Sequence, residues 1–125
     1  MKYIDVQIIF VDIDGTLLNH RKGHVFDTLS IESLKKAQKD GIKVVITTAR
    51  AYHTVEQIGL LKMIKPDALI TENGGVITLG NKVIYQDLIP SNTLNSLCKH
   101  VIESGLTIEC IGAKEAFKKL DFSGF

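Results

Sequence analysis

Two carboxylates at the end of one apolar run are the residues in this sequence best placed to do chemistry. The stretch IIFVDIDGTLL spans residues 8 to 18; Asp12 follows four apolar residues directly, and Asp14-Gly15-Thr16 comes at once. A short apolar run rich in β-branched residues reads as a strand buried on both faces of a parallel sheet. In open α/β sheets, ligands bind in the crevice beyond the carboxyl ends of the strands. With one residue between them, Asp12 and Asp14 leave an extended backbone on the same side. Like charges that close need a cation between them or a shared proton. Hard oxygen donors favour magnesium, which commonly takes one or two carboxylates plus waters and substrate phosphate. Gly15 permits a sharp turn, and Thr16 offers a hydroxyl and an amide at the mouth. An Asp-Gly turn is common by itself; a buried strand, Asp-x-Asp-Gly-Thr and the Leu17-Leu18 pair together make a catalytic reading specific.

The rest of the chain must position that corner. Its 125 residues suffice for one small domain with a core. Apolar content of 45% and charged content of 23% are ordinary for globular proteins. A net charge of +1 leaves no electrostatic footprint for nucleic acid or an anionic membrane. Cys98 and Cys110 lack metal-ligand spacing and read as reduced thiols. No stretch approaches the ~20 apolar residues of a membrane span, so a cytoplasmic chain is expected.

In chain order, residues 19 to 30 read as a polar loop over the first strand's carboxyl end, able to form a flap. His20 and His24 lie there and read as exposed loop histidines. Ile31, Leu34 and Ala37 recur at helical spacing over 31 to 40, with Ser30 or Asp27 as N-cap and Gly41 as terminator. IKVVITT (42–48) is a second buried strand that passes through Thr47-Thr48-Ala49-Arg50 into a helix from about Ala51 to Lys62. Such a strand-helix-strand unit makes the strands parallel and sets Thr48 beside Asp12, near a helix start suited to anions. Thr48 reads as a phosphate donor, a helix cap or both; Arg50 either reaches a substrate or pairs with a carboxylate. A third strand, Ala68 to Thr71, closes on Asn73-Gly74-Gly75, and Gly80-Asn81 marks a two-residue hairpin. Ser91 to Ser104 reads as an amphipathic helix, 106 to 111 as a strand and Lys114 to Leu120 as a weak helix.

In this order and spacing, IIFVDIDGTLL, GIKVVITTARAY and ALITENGGVI resemble the haloacid dehalogenase superfamily, most of all its Cof-type, sugar-phosphatase-like branch with a type IIB cap. The resemblance is strong over residues 4 to 85 and loose over 86 to 125. It implies an α/β fold: a Rossmannoid three-layer parallel sheet, partial here, with the beginning of an α+β cap. Residues 1–85 would be the N-terminal half of the core, and 86–125 the start of a truncated cap. Asp12 would be the nucleophile forming an aspartyl-phosphate, Asp14 the general acid and base, and Thr48 the holder of a phosphoryl oxygen. Gly15, Thr16, Ala49, Arg50, Asn73 and Gly74 fall at implied substrate-binding positions. Mg2+ would bind the Asp12 carboxylate and the Asp14 main-chain carbonyl.

Two departures accompany the resemblance. Ala49 stands where the family's second motif usually has glycine. The family's later lysine and acidic loop, which follow the cap, have no counterpart; Lys114, Lys118 and Lys119 fall in the expected cap, and Asp121 lacks an acidic pair. A fragment of a phosphatase and a short, weakly active relative are both open. The implied partner is a small phosphorylated metabolite, foremost a sugar phosphate, with neither nucleic acid nor membrane. A non-catalytic module using the Asp12/Thr48 corner and a mutase-type phosphotransferase are the alternatives. A receiver-type signalling domain fits less well, since its phosphorylated aspartate would sit on a later strand. Missing strands would leave an open sheet edge, so a homo-oligomer is expected.

Overall fold

The computed structural model describes residues 5–112 and the two-residue strand Lys118–Lys119. β1 (Ile8–Val11) leads into a tight turn and a small hairpin of β2 (Leu18–Asn19) and β3 (Val25–Phe26), so part of the expected loop is a paired ribbon. α1 (Thr28–Lys39) starts where Asp27 accepts the Ser30 amide, the side-chain cap that the first helical turn requires. β4 (Lys43–Thr47) follows, then α2 (Tyr52–Gln57) and α3 (Leu60–Met63) in place of one continuous helix. Gly59 breaks it: at φ 84 it sits in the left-handed region and turns the chain after Ile58.

β5 (Ala68–Thr71) is followed by β6 (Val76–Leu79) and β7 (Lys82–Gln86), a hairpin closed by Gly80-Asn81 as expected. α4 (Ser91–Glu103) carries buried Cys98. β8 (Glu109–Cys110) covers only two residues of the expected strand, and pairs with β9 (Lys118–Lys119). The weak helix expected over Lys114 to Leu120 is therefore wrong at Lys118 and Lys119, which extend because they pair with Cys110 and Glu109; its other residues lie outside those described. Burial and the neighbouring Cys98 thiol push the Cys110 thiol up.

The sheet runs β1-β4-β5-β6-β7, with β1, β4 and β5 parallel and the pairs β5–β6 and β6–β7 each antiparallel. Val11 pairs with Ile46 and Ile46 with Leu69, which lines apolar side chains across one face. Ile31 of α1, Val55 of α2 and Leu60 of α3 join Ile13, Val44, Ile46 and Leu69 in one buried cluster. Each such side chain contributes about 1.5–3 kcal/mol on removal from water. Asp67 ties the layers together: its Oδ2 accepts Gln38 Nε2 from α1 at 3.0 Å and the Val44 amide at 2.9 Å. These bonds hold its carboxyl below the usual range, Gln38 contributing most.

β1 differs from the strand expected to be buried on both faces. Among the described residues it pairs with β4 alone and is an edge strand. Ile8 is 48% and Phe10 61% exposed, whereas Val44 and Ile46 opposite Ile9 and Val11 are fully buried. Ile8 and Phe10 share one face of β1, and an apolar run is buried on both faces only where something packs on each; among the described residues this face is left largely uncovered.

Candidate active site

Asp12 and Asp14 emerge at the carboxyl end of β1, and the ends of β4 and β5 lie beside it. An open cleft of about 300 Å3 there is lined by Asp12, Asp14, Thr47, Thr48, Ala49 and Asn73. Parallel pairing of β1 with β4 brings Asp12 and Thr48 to the same edge. Asn73 is tied in by its own amide, which donates to the Thr48 carbonyl at 3.2 Å; the Glu72 amide donates to the Arg50 carbonyl at 3.0 Å. Both Glu72 and Asn73 take left-handed backbone (φ 53 and 56), uncommon for non-glycine residues and often found at functional turns. Thr48 is buried, and its Oγ1 accepts the Arg50 amide at 3.1 Å, so the hydroxyl proton remains available to an oxygen in the cleft. It is not the cap of α2, which begins four residues later at Tyr52 with Ala51 in the cap position.

Gly15 turns at φ 77, and its amide donates to the Leu18 carbonyl at 3.0 Å. The Thr16 amide donates to the Ile13 carbonyl at 3.1 Å. Thr16 thus offers its exposed hydroxyl, while the amide expected at the mouth is already used. Gly74 follows Asn73 at φ 94 and is not among the residues lining the cleft. A second groove of about 300 Å3, between α2 and the β6–β7 hairpin, lies away from these carboxylates.

The sequence profile of the haloacid dehalogenase-like hydrolases matches residues 9–121. This chain belongs to that family. It is 31% identical over 100 residues to the putative phosphatase YkrA of Bacillus subtilis, covering 80% of this chain and 37% of that protein. It is 29% identical over 120 residues to a phosphoglycolate phosphatase of Methanospirillum hungatei, covering 92% and 50%. The solved structure of the subclass IIB sugar phosphatase BT4131 superposes with a TM-score of 0.69 at 26% identity, covering 88% of this chain and 42% of that one. The chain thus spans half or less of the length of these relatives. The Cof-type, subclass IIB resemblance and the α/β parallel-sheet fold expected from the motifs are both observed.

Within this hydrolase fold, Asp14 has a partner that the carboxylate spacing did not reveal. Arg50 grips it with two bonds, Nε to Oδ2 and Nη2 to Oδ1, both 2.8 Å. His20 Nε2 adds a contact to Oδ1 at 2.7 Å. The guanidinium thus balances the charge of Asp14 beside Asp12. Of the two roles open to Arg50, carboxylate pairing is the one seen. Arg50 chiefly, then His20, holds the Asp14 carboxyl at about 2 against its ordinary 3.8, although desolvation opposes them.

A depressed carboxyl stabilises the fold above its unfolded value and loses that contribution as pH falls through its folded value. For Asp14 the window runs from about pH 4 down to about 2. Arg50→Ala is expected to move the Asp14 titration up toward 3.8 and to remove this part of the acid-limb stability loss. Carboxyl-carbon NMR titration reads it directly; an unchanged Asp14 midpoint would contradict the pairing.

Asp12 differs in kind. Its Oδ1 accepts the Ile13 amide at 2.7 Å, and no described ion pair involves it. The described residues contain no group of three or more His, Cys, Asp or Glu able to hold a metal. What they offer is a free Asp12 carboxylate and the Asp14 main-chain carbonyl, both hard oxygens. That pair fits magnesium, which fills its remaining positions with water and phosphate oxygens; among the described residues that line the cleft, none carries an imidazole or a thiol for a softer metal.

His20 is exposed, as its loop position implies, yet it also reaches Asp14. The available signal was its place in a polar stretch directly over the carboxyl end of β1, read as a flap.

Proposed function

We propose that this chain bears the nucleophile site of a magnesium-dependent phosphatase acting on small phosphorylated metabolites, with sugar phosphates foremost. What carries the reading is the contrast between two neighbouring carboxylates: Asp12 is free in the cleft, and Asp14 is clamped by Arg50. Membership of the hydrolase family and likeness to phosphatases support it.

In this reading an Asp12 oxygen attacks phosphorus and forms an aspartyl-phosphate as the ester alcohol departs. The buried Thr48 hydroxyl holds a phosphoryl oxygen, and Asn73 lines the same cleft as the attacking carboxylate. Asp14 protonates the departing alkoxide and then takes a proton from the water that cleaves the acyl phosphate. A carboxyl held at about 2 is a poor acid near neutrality, so Arg50 must first loosen its grip. The substrate's phosphate dianion supplies a competing partner for the guanidinium, which binds phosphate as readily as carboxylate. Magnesium, held by Asp12 and the Asp14 carbonyl, would neutralise phosphoryl charge. Residues 86–125 are read as the opening of a substrate-selecting cap.

The test is phosphate release from a generic phosphate ester with and without magnesium. Turnover that requires the cation supports the reading; equal rates in chelator contradict it.

The open β1 edge favours a second assignment. Among the described residues nothing pairs with this edge of β1, and unpaired backbone beside exposed Ile8 and Phe10 is a template for another strand. Self-association is the expected behaviour of the chain alone, and light scattering that gives a monomer at micromolar concentration would overturn it.

A further inference from the structure

The β2–β3 hairpin is anchored at its base and reaches the site at its tip. Leu17 and Leu18 are buried, the Asp27 amide donates to the Leu17 carbonyl at 2.8 Å, and Leu18 pairs with Phe26. Between these fixed ends the chain makes a 3-10 turn over His20–Lys22, capped by Asn19, whose Oδ1 accepts the Arg21 amide at 2.9 Å. Two successive left-handed residues, Gly23 at φ 78 and His24 at φ 59, then fold it back. A non-glycine residue there costs on the order of 1–2 kcal/mol. The result of that strain is that the His24 ring meets His20 edge to face, with centroids 4.7 Å apart and planes at 88°.

Both nitrogens of His20 are engaged. Nε2 lies 2.7 Å from Asp14 Oδ1, and Nδ1 lies 2.9 Å from Nδ1 of His24. An ionised carboxylate only accepts, so Nε2 carries the proton that binds Asp14, and the ring cannot flip without losing both bonds.

We propose that His20, backed by His24, is a positioning residue for Asp14, holding its carboxylate at the cleft mouth from the solvent side. Arg50 grips the same carboxylate from the loop that follows β4. When a phosphate draws the guanidinium away, His20 is the contact that keeps Asp14 in place for proton transfer. This assignment rests on the proposed roles of Asp12 and Asp14, and it uses a residue that the hydrolase motifs do not contain.

The experiment compares wild type with His20→Ala, His20→Gln and His24→Ala at fixed pH. Magnesium-dependent hydrolysis of an aryl phosphate is measured together with long-range 1H–15N spectra of the histidine rings. His20→Ala is expected to lower kcat by roughly 10- to 100-fold with KM little changed, since misplacing a reacting group costs rate rather than binding. His20→Gln, whose amide can donate to the same oxygen, should restore most of it, and His24→Ala should show a smaller loss. In the spectra, His20 should be protonated at Nε2, and Asp14→Ala should shift that signal. If Asp12→Asn abolishes turnover while His20→Ala does not change kcat, the positioning role falls and the phosphatase reading stands. If wild type is folded but inactive, the phosphatase reading falls for this chain. The spectra then decide the contact alone: a His20 signal indifferent to Asp14→Ala overturns it, and a shifted one supports it.

Discussion

Asp12→Asn is expected to cut magnesium-dependent phosphate release by roughly 10^4-fold, the scale on which loss of a covalent-catalysis residue is felt. The amide has nearly the same shape as the carboxylate and still offers an oxygen to the Ile13 amide, so the bond at 2.7 Å and the turn behind it survive. What it lacks is a nucleophilic anion, and an amide cannot form the acyl phosphate through which the ester would be hydrolysed. Thr48→Ala serves as the graded comparison: one hydrogen bond to the phosphoryl group is lost, a change on the order of 10²-fold. Comparable losses in the two variants would mean that Asp12 contributes charge and not a bond to phosphorus. Wild-type turnover matched by Asp12→Asn would remove Asp12 from the chemistry altogether. A folded wild type without turnover would mean that the Asp12–Thr48 corner needs charges that its longer relatives carry elsewhere.

The parallel part of the fold was legible because its signals are local. Ile8 to Val11, Val44 to Ile46 and Leu69 to Thr71 are apolar, β-branched runs bounded by turn residues, and each became a strand. The hairpin at Gly80-Asn81 was equally local. The helix after Arg50 was read as continuous because periodicity cannot see that Gly59 adopts φ 84 and divides it. The exposure of Phe10 could not be read either, since it depends on what lies beside β1 rather than on β1 itself.

The site shows the same division. Asp12, Thr48 and Asn73 could be placed together, because strand ends converge wherever parallel strands pair. The partners of Asp14 could not. Arg50 lies 36 residues away, and its choice between substrate and carboxylate depends on side-chain reach after folding. His20 is close in sequence, but its contact depends on a left-handed His24 that few sequences would announce.

Ile46→Ala is expected to produce the largest loss of stability. Ile46 is fully buried in β4, flanked by Val11 on β1 and Leu69 on β5, and packed in the cluster that receives Ile31, Val55 and Leu60. Truncation to alanine removes transferred methyl groups and leaves a cavity that a three-strand neighbourhood cannot collapse, at a cost of about 2–5 kcal/mol. Against the ~5–15 kcal/mol of a typical domain, that is a large fraction, and the melting midpoint should fall by roughly 10–20 °C. Phe10→Ala is the informative contrast. Phe10 is 61% exposed on the edge strand, and in a monomer its truncation should cost less than about 1 kcal/mol. A Phe10→Ala loss approaching that of Ile46→Ala would mean that another strand covers β1 in solution. The pair of denaturation curves therefore separates burial created within the described fold from burial created by whatever pairs with its open edge.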